Sequence, residues 1–255
     1  MKVCIQPPQP PRLQIQRPAF VIVGMMRSGS NFLERTLNLL PSVRCHGELF
    51  NPKFIGLAAD LGAEHLGYHR YQVASRRENP LGMLRQLIDG NDRQTCGFRL
   101  FLDHEPLAMA EVLYHPGVRK VLLTRNYLES FVSLLIARRS NIWLTTHKAA
   151  QDHDPRVHVD VDALIEFTLR QSCFYNDVLT ILHSSGQDHM QIDYSEIKSS
   201  AHLNRLTAFL GVSDRVDTVE EPIERQNPGA VRDKILNFQP LVDALRQRGM
   251  ARWFV

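Results

Sequence analysis

Residues 24–31 read Gly-Met-Met-Arg-Ser-Gly-Ser-Asn. Glycines permit positive φ and close backbone approach, so several N–H groups can turn inward together onto an anion. Arg27 adds a cation, and Ser28 and Ser30 add small hydroxyls. A helix starting just after the loop would add its positive end. This is chemistry suited to a phosphate or sulfate group. A glycine turn between any strand and helix would show the same spacing, so the flanking elements have to decide.

Ala19-Phe20-Val21-Ile22-Val23-Gly24 is a short continuous apolar run that fits a strand buried on both faces. Phe32, Leu33, Leu37 and Leu40 then fall at helical spacing and stop at Pro41. Strand, glycine loop and helix open a doubly wound fold. The expected class is a P-loop-like three-layer α/β fold, with a central, mostly parallel sheet flanked by helices. A nucleotide-triphosphate loop would end Gly-Lys-Ser/Thr, with lysine on the β/γ-phosphates and a hydroxyl on Mg²⁺. Here Ser30 and Asn31 hold those two places, and the positive charge stands inside the loop at Arg27.

Further strands are expected over 43–46, 96–102, 119–124 and 189–193. Helices are expected over 81–88, 105–113, 127–137, 162–182, 203–210 (closed by Gly211) and 231–247. Residues 51–79 lack a strong period and read as loops and short helices forming a lid or substrate wall. The Pro/Gln-rich residues 1–18 read as a flexible leader, and 19–255 as a single domain.

The chain has 255 residues, 44% hydrophobic and 22% charged, which excludes a disordered or fibrous protein. A net charge of +3 suits an anionic small ligand and is too weak to imply nucleic acid. Cys4, Cys45, Cys96 and Cys173 lie far apart with no CxxC pair, so they read as reduced thiols. His65 and His69, and His147, His153 and His158 beside Asp152 and Asp154, could suggest a metal. They lack a fixed third ligand or cysteine pair, so no metal is expected. No apolar run approaches the ~18 residues of a membrane span, and the first residues lack a signal-peptide core. A cytoplasmic location is the expectation.

Arg27-Ser28-Gly29-Ser30-Asn31-Phe32-Leu33 resembles the 5′-phosphosulfate loop of sulfotransferases that use 3′-phosphoadenosine 5′-phosphosulfate (PAPS). Two more elements follow in that family's order. Val121-Leu122-Leu123-Thr124-Arg125 is followed by Ser133, eight residues on. Asp193-Tyr194-Ser195-Glu196-Ile197 precedes Phe209-Leu210-Gly211. A closer similarity is to the bacterial carbohydrate sulfotransferases, the nodulation-factor and trehalose enzymes. It rests on His46-Gly47-Glu48-Leu49-Phe50-Asn51, on Gly97-Phe98-Arg99-Leu100 with His104, and on Arg225-Gln226-Asn227-Pro228. That family often carries lysine where Arg99 stands. The C-terminal Arg-Lys-Gly of cytosolic sulfotransferases is absent, which leaves Arg225 as the candidate on that side.

The resemblance implies PAPS as co-substrate, with Arg27 and the backbone of Ser28, Gly29, Ser30, Asn31 and Phe32 around the 5′-phosphosulfate. Arg125 and Ser133 would bind the 3′-phosphate, and Tyr194 would face the adenine. The sulfuryl group carries less charge than a terminal phosphoryl group, so fixed donors can replace a metal clamp. Glu48 follows the second strand, where strand ends open into the crevice of an α/β sheet, and matches the family's proposed base. His104 competes for that role, and Arg99 would steady the sulfuryl oxygens. A carbohydrate or glycolipid hydroxyl is the implied acceptor, and related carbohydrate enzymes can form homodimers. Two alternatives stay open. One is a P-loop kinase or NTPase using Mg-ATP, with Asp193 as a magnesium-side strand end. The other is a non-catalytic nucleotide-binding protein.

Overall fold

The computed structural model describes residues 12–58, 60–61, 71–143, 154–219, 229–251 and 254. Five strands form its sheet: β1 (Ala19–Val23), β2 (Val43–Cys45), β3 (Thr95–Leu100), β4 (Val118–Thr124) and β5 (His189–Asp193). Their order is β2-β3-β1-β4-β5, and every neighbouring pair is parallel. β1 lies at the centre, with Val23 opposite Leu100 on one side and Leu122 on the other. The fold is therefore the expected α/β class. Because all strands run the same way, the five carboxyl ends share one edge.

The helices are α1 (Ser30–Asn38), α2 (Val73–Glu78), α3 (Pro80–Asp89), α4 (Pro106–Tyr114), α5 (Tyr127–Ser140), α6 (Val161–Ser184), α7 (Ser200–Leu210) and α8 (Phe238–Gln247). Alternating side chains of β1 supply two cores, as a strand period of two requires. Phe20 and Ile22 pack with Leu33 and Leu37 of α1 and with Leu203, Leu206 and Leu210 of α7. Val21 and Val23 face the other layer, built from α3, α4 and α6 through Leu84, Leu87, Val112, Phe174 and Val178. A third cluster joins α5, the start of α6 and α8 through Phe131, Val132, Leu164, Leu241 and Leu245.

Two expectations need correction. Residues 231–247 are not one helix: a 3-10 turn at Val231–Lys234 is separated from α8. Between them Ile235 pairs with Val157, the Leu236 N–H donates to Val157 O at 2.9 Å, and the Asn237 side chain brackets Val159 through both its amide atoms. This pairing with a distant segment outweighs local helical preference. The described part of the leader, 12–18, is docked rather than free. Leu13 is buried, and the Arg12 and Leu13 N–H groups donate to the buried Glu111 carboxylate.

Candidate active site

Each strand's carboxyl end delivers part of one edge. The loop after β1 carries Arg27 to Gly29, and the segment after β2 carries Glu48. β3 ends near Arg99 and is followed by His104, β4 by Arg125, and β5 by Tyr194. In open α/β sheets this edge, beside the point where strand order reverses, is where ligands bind.

The loop's backbone is unusual at two positions. Gly29 has φ 93°, and a Cβ there would lie 2.4 Å from the Tyr194 ring, so neither the dihedral nor the space admits another residue. Arg27 holds φ 66°, a left-handed conformation uncommon for a long side chain. Its Nε donates to Ser133 Oγ at 2.9 Å and its Nη1 to Trp143 O at 2.8 Å. Arg125 Nη1 donates back to Arg27 O at 2.9 Å, and its guanidinium lies 3.9 Å over the Tyr194 ring centroid. Arg125 also reaches Glu129 on the first turn of α5, at 2.9 Å. Arg27, Arg125, Ser133 and Tyr194 thus form one cluster. Burial, with the charge of Arg125 beside it, pushes the Arg27 guanidinium down to about 10.

Ser28 Oγ is buried without a hydrogen-bond partner. Ser30 opens α1, and its Oγ accepts from Arg99 Nη1 at 3.2 Å. Asn31 is half-buried, and Phe32 is buried beneath Lys198, whose Nζ stands 5.5 Å from the ring centroid. Arg225 lies outside the described residues, as do His65, His69, His147 and His153; His158 is exposed.

A second cluster is built around Arg99, the partner of Ser30. Glu48 Oε2 accepts from Asn51 Nδ2 at 2.6 Å and lies 3.6 Å from His104 Nε2. Glu48 Oε1 lies 3.5 Å from Arg99 Nη1. His104 Nδ1 accepts the Phe101 N–H at 3.3 Å, so the neutral ring carries its proton on Nε2, facing Glu48. Burial works to raise the Glu48 carboxyl, but His104, Arg99 and Asn51 together hold it below its ordinary value. The buried Arg99 also pairs through Nε with Glu34 at 2.7 Å. Burial dominates at Glu34 and raises its carboxyl. Two carboxylates thus share one guanidinium and are displaced in opposite directions.

Sequence reading missed three supporting residues: Glu34, Asn51 in its hydrogen bond to Glu48, and Arg76. The Arg76 side chain is buried and its Nη1 donates to the carbonyls of Leu49, Asn51 and Phe54, which fixes the segment just after Glu48. Gly56 presses on the same segment; a Cβ there would come within 2.7 Å of Glu48 N. No local pattern announces Arg76. Its carbonyl partners are 22 to 27 residues away in sequence. A separate cavity, bordered by Arg35, Asn38, Arg44 and Asp60, shares Glu34 with this cluster.

A parallel α/β sheet with an arginine-bearing glycine loop after its central strand defines the P-loop-like fold class. A sequence profile described as "Sulfotransferase family" matches residues 18–215, and the chain belongs to that family. It is similar to Nodulation protein H from Rhizobium tropici, 29% identical over 231 residues that cover 87% of each chain. Among solved structures, mouse sulfotransferase SULT7A1 complexed with PAP aligns over 93% of this chain and 86% of its own, at 13% identity and TM-score 0.50. A sulfotransferase from Alicyclobacillus acidocaldarius aligns over 94% and 99%, at 20% identity and TM-score 0.48. No described helix is long and apolar enough to cross a membrane.

Proposed function

We propose that this sulfotransferase moves a sulfuryl group from PAPS to a hydroxyl of a carbohydrate or glycolipid. The observation that carries the donor side is the pair of guanidinium groups converging on the loop, Arg27 pushed down to about 10 by burial and by Arg125. An anion between them would relieve that repulsion, and the buried Ser28 hydroxyl gives it a further donor. A nucleotide carrying phosphate groups at two positions fits a site with one cation after β1 and another after β4. When bound, PAPS supplies a sulfuryl group whose bond to the 5′-phosphate breaks as the acceptor oxygen bonds to sulfur, the bonding pair leaving on the phosphate.

In this reading Arg27 and the N–H groups of 28–32 meet the charge that develops on the leaving phosphate. Arg125 and Ser133 hold the 3′-phosphate, and Tyr194, stacked on Arg125, borders the adenine. Glu48 takes the acceptor's proton. Its carboxylate is ionised at neutral pH because it lies below its ordinary value, and His104 Nε2, buried without a hydrogen-bond partner, faces it at 3.6 Å. The carbohydrate class of acceptor is supported by the similarity to Nodulation protein H and by the segments around Glu48 and Arg99.

The test is radiolabelled sulfate transfer from PAPS to a panel of oligosaccharides and envelope glycolipids, with peptides and simple phenols as controls. Label on a carbohydrate-bearing acceptor is expected. Label confined to phenols or peptides would overturn the acceptor class, and magnesium-dependent phosphorylation from ATP with no sulfate transfer would overturn the donor.

A further inference from the structure

Arg99 stands where three elements meet. It leaves β3, touches the first helical residue of α1 through Ser30 Oγ (3.2 Å), and faces Glu48 (3.5 Å) after β2. Its shortest ionic contact goes to neither: Nε lies 2.7 Å from Glu34 Oε2, one turn into α1. A buried ion pair is weak evidence for stability, because desolvation cancels much of the attraction. Its value therefore has to be sought in what it prevents. A guanidinium with Glu48 as its one anionic neighbour would close on it in the bidentate geometry that arginine and carboxylate favour. The carboxylate oxygens would then be engaged and unavailable for a proton.

We propose that Glu34 is a positioning residue: it holds Arg99 by Nε so that the guanidinium is shared with Ser30 and Glu48 instead of closing on Glu48, which keeps the Glu48 carboxylate open to the acceptor's proton. This rests on the reading of Glu48 as the base. The charged and titratable groups facing Glu48 are Arg99, His104 and Glu34, with Asn51 as a neutral donor; those facing Glu34 are Arg99, Arg35, Glu48 and the buried Cys45 thiol.

The direct test is Glu34→Gln, which keeps shape and removes charge. Losing a neighbouring negative charge stabilises the ionised form of Glu48, so its proton is lost at lower pH. The acid limb of kcat/KM should move down by roughly half to one pH unit. The weaker, more tightly paired base should lower kcat about tenfold, while PAP affinity stays within about twofold, since the ion pair of Glu34 is with Arg99, outside the cluster of Arg27, Arg125, Ser133 and Tyr194. Glu34→Asp, which restores the charge, should return the limb towards its original position. An unmoved acid limb, or kcat and PAP affinity falling together, would overturn the proposal and leave a merely structural pair.

A second readout works even if Glu34→Gln does not fold. Carbon-13 NMR of labelled glutamate carboxyls in Glu48→Gln should show Glu34 titrating at lower pH than in the unsubstituted enzyme, because a repelling charge is gone. No change there would contradict the coupling. The two readings can also fail separately. If Glu48→Gln still transfers sulfate, the base is wrongly assigned, whereas the NMR shift still reports whether Glu34 and Glu48 compete for Arg99.

Discussion

The two halves of the sheet's carboxyl edge use arginine in opposite ways. On the β4–β5 side Arg27 reaches neutral oxygens, the Ser133 hydroxyl and the Trp143 carbonyl, and Arg125 reaches the Arg27 carbonyl, with half-exposed Glu129 as its acid. Two guanidinium groups stand side by side there, and burial, with the charge of Arg125 next to it, pushes Arg27 down to about 10. On the β2–β3 side Arg99 sits between two carboxylates, with a histidine facing one of them. On that side two carboxylates outnumber the one guanidinium they share. In the proposed reading one flank takes the anionic donor and the other takes the acceptor's proton, an arrangement suited to group transfer. Ser30, the first residue of α1 and a partner of Arg99, follows the Arg27–Gly29 loop directly in the chain.

The contrast breaks first at the proton acceptor. Glu48→Gln should cut sulfate transfer by ~10²–10⁴ and leave PAP affinity nearly unchanged, as loss of a general base does. Equal losses in both would erase the division between flanks. Arg27→Ala should lower kcat by ~10²–10³, the scale of removing one preorganised donor to developing charge; near-normal turnover would remove it from the leaving-group role.

Arg125→Ala sharpens the comparison within the donor flank. It should weaken PAPS roughly tenfold or more, a lost charge-assisted contact, yet barely affect adenosine 5′-phosphosulfate, which has no 3′-phosphate. Parallel losses in competition binding would count against the assigned contact. The smallest effect is expected from Arg76→Met. It frees three carbonyls around the Glu48 segment, so kcat should fall severalfold while PAP binding holds, with about 1.5–3 kcal/mol lost from stability in denaturant titrations.

Much of this edge is legible in the chain itself. β1 and the second half of β4 announce themselves as short apolar runs, because a parallel sheet covered on both faces needs apolar side chains on both. By contrast, β2 (Val-Arg-Cys) and the edge strand β5 (His-Met-Gln-Ile-Asp) are only weakly apolar. The loop and Arg125 each follow an apolar run, and Glu48, His104 and Tyr194 follow the shorter or more polar strands expected from sequence, so their position along the chain already implies a strand's carboxyl end. What sequence does not reveal is which of them touch. Arg27 and Ser133 read as parts of separate cradles, and a hydrogen bond across 106 residues joins them. Glu34 looks like an ordinary polar residue of an amphipathic helix until β3 brings Arg99 against it. The 3-10 turn before α8 is hidden for the same reason: the pairing of Ile235 with Val157 is tertiary, and local periodicity does not register it.

The most direct measurement is calorimetric titration of the protein with PAP and with Mg-ATP, in chelator and in magnesium. The account predicts that PAP binds in the presence of chelator, that Arg27→Ala and Arg125→Ala each weaken it, and that Mg-ATP competes poorly. Tight magnesium-dependent ATP binding, with no heat from PAP, would contradict it.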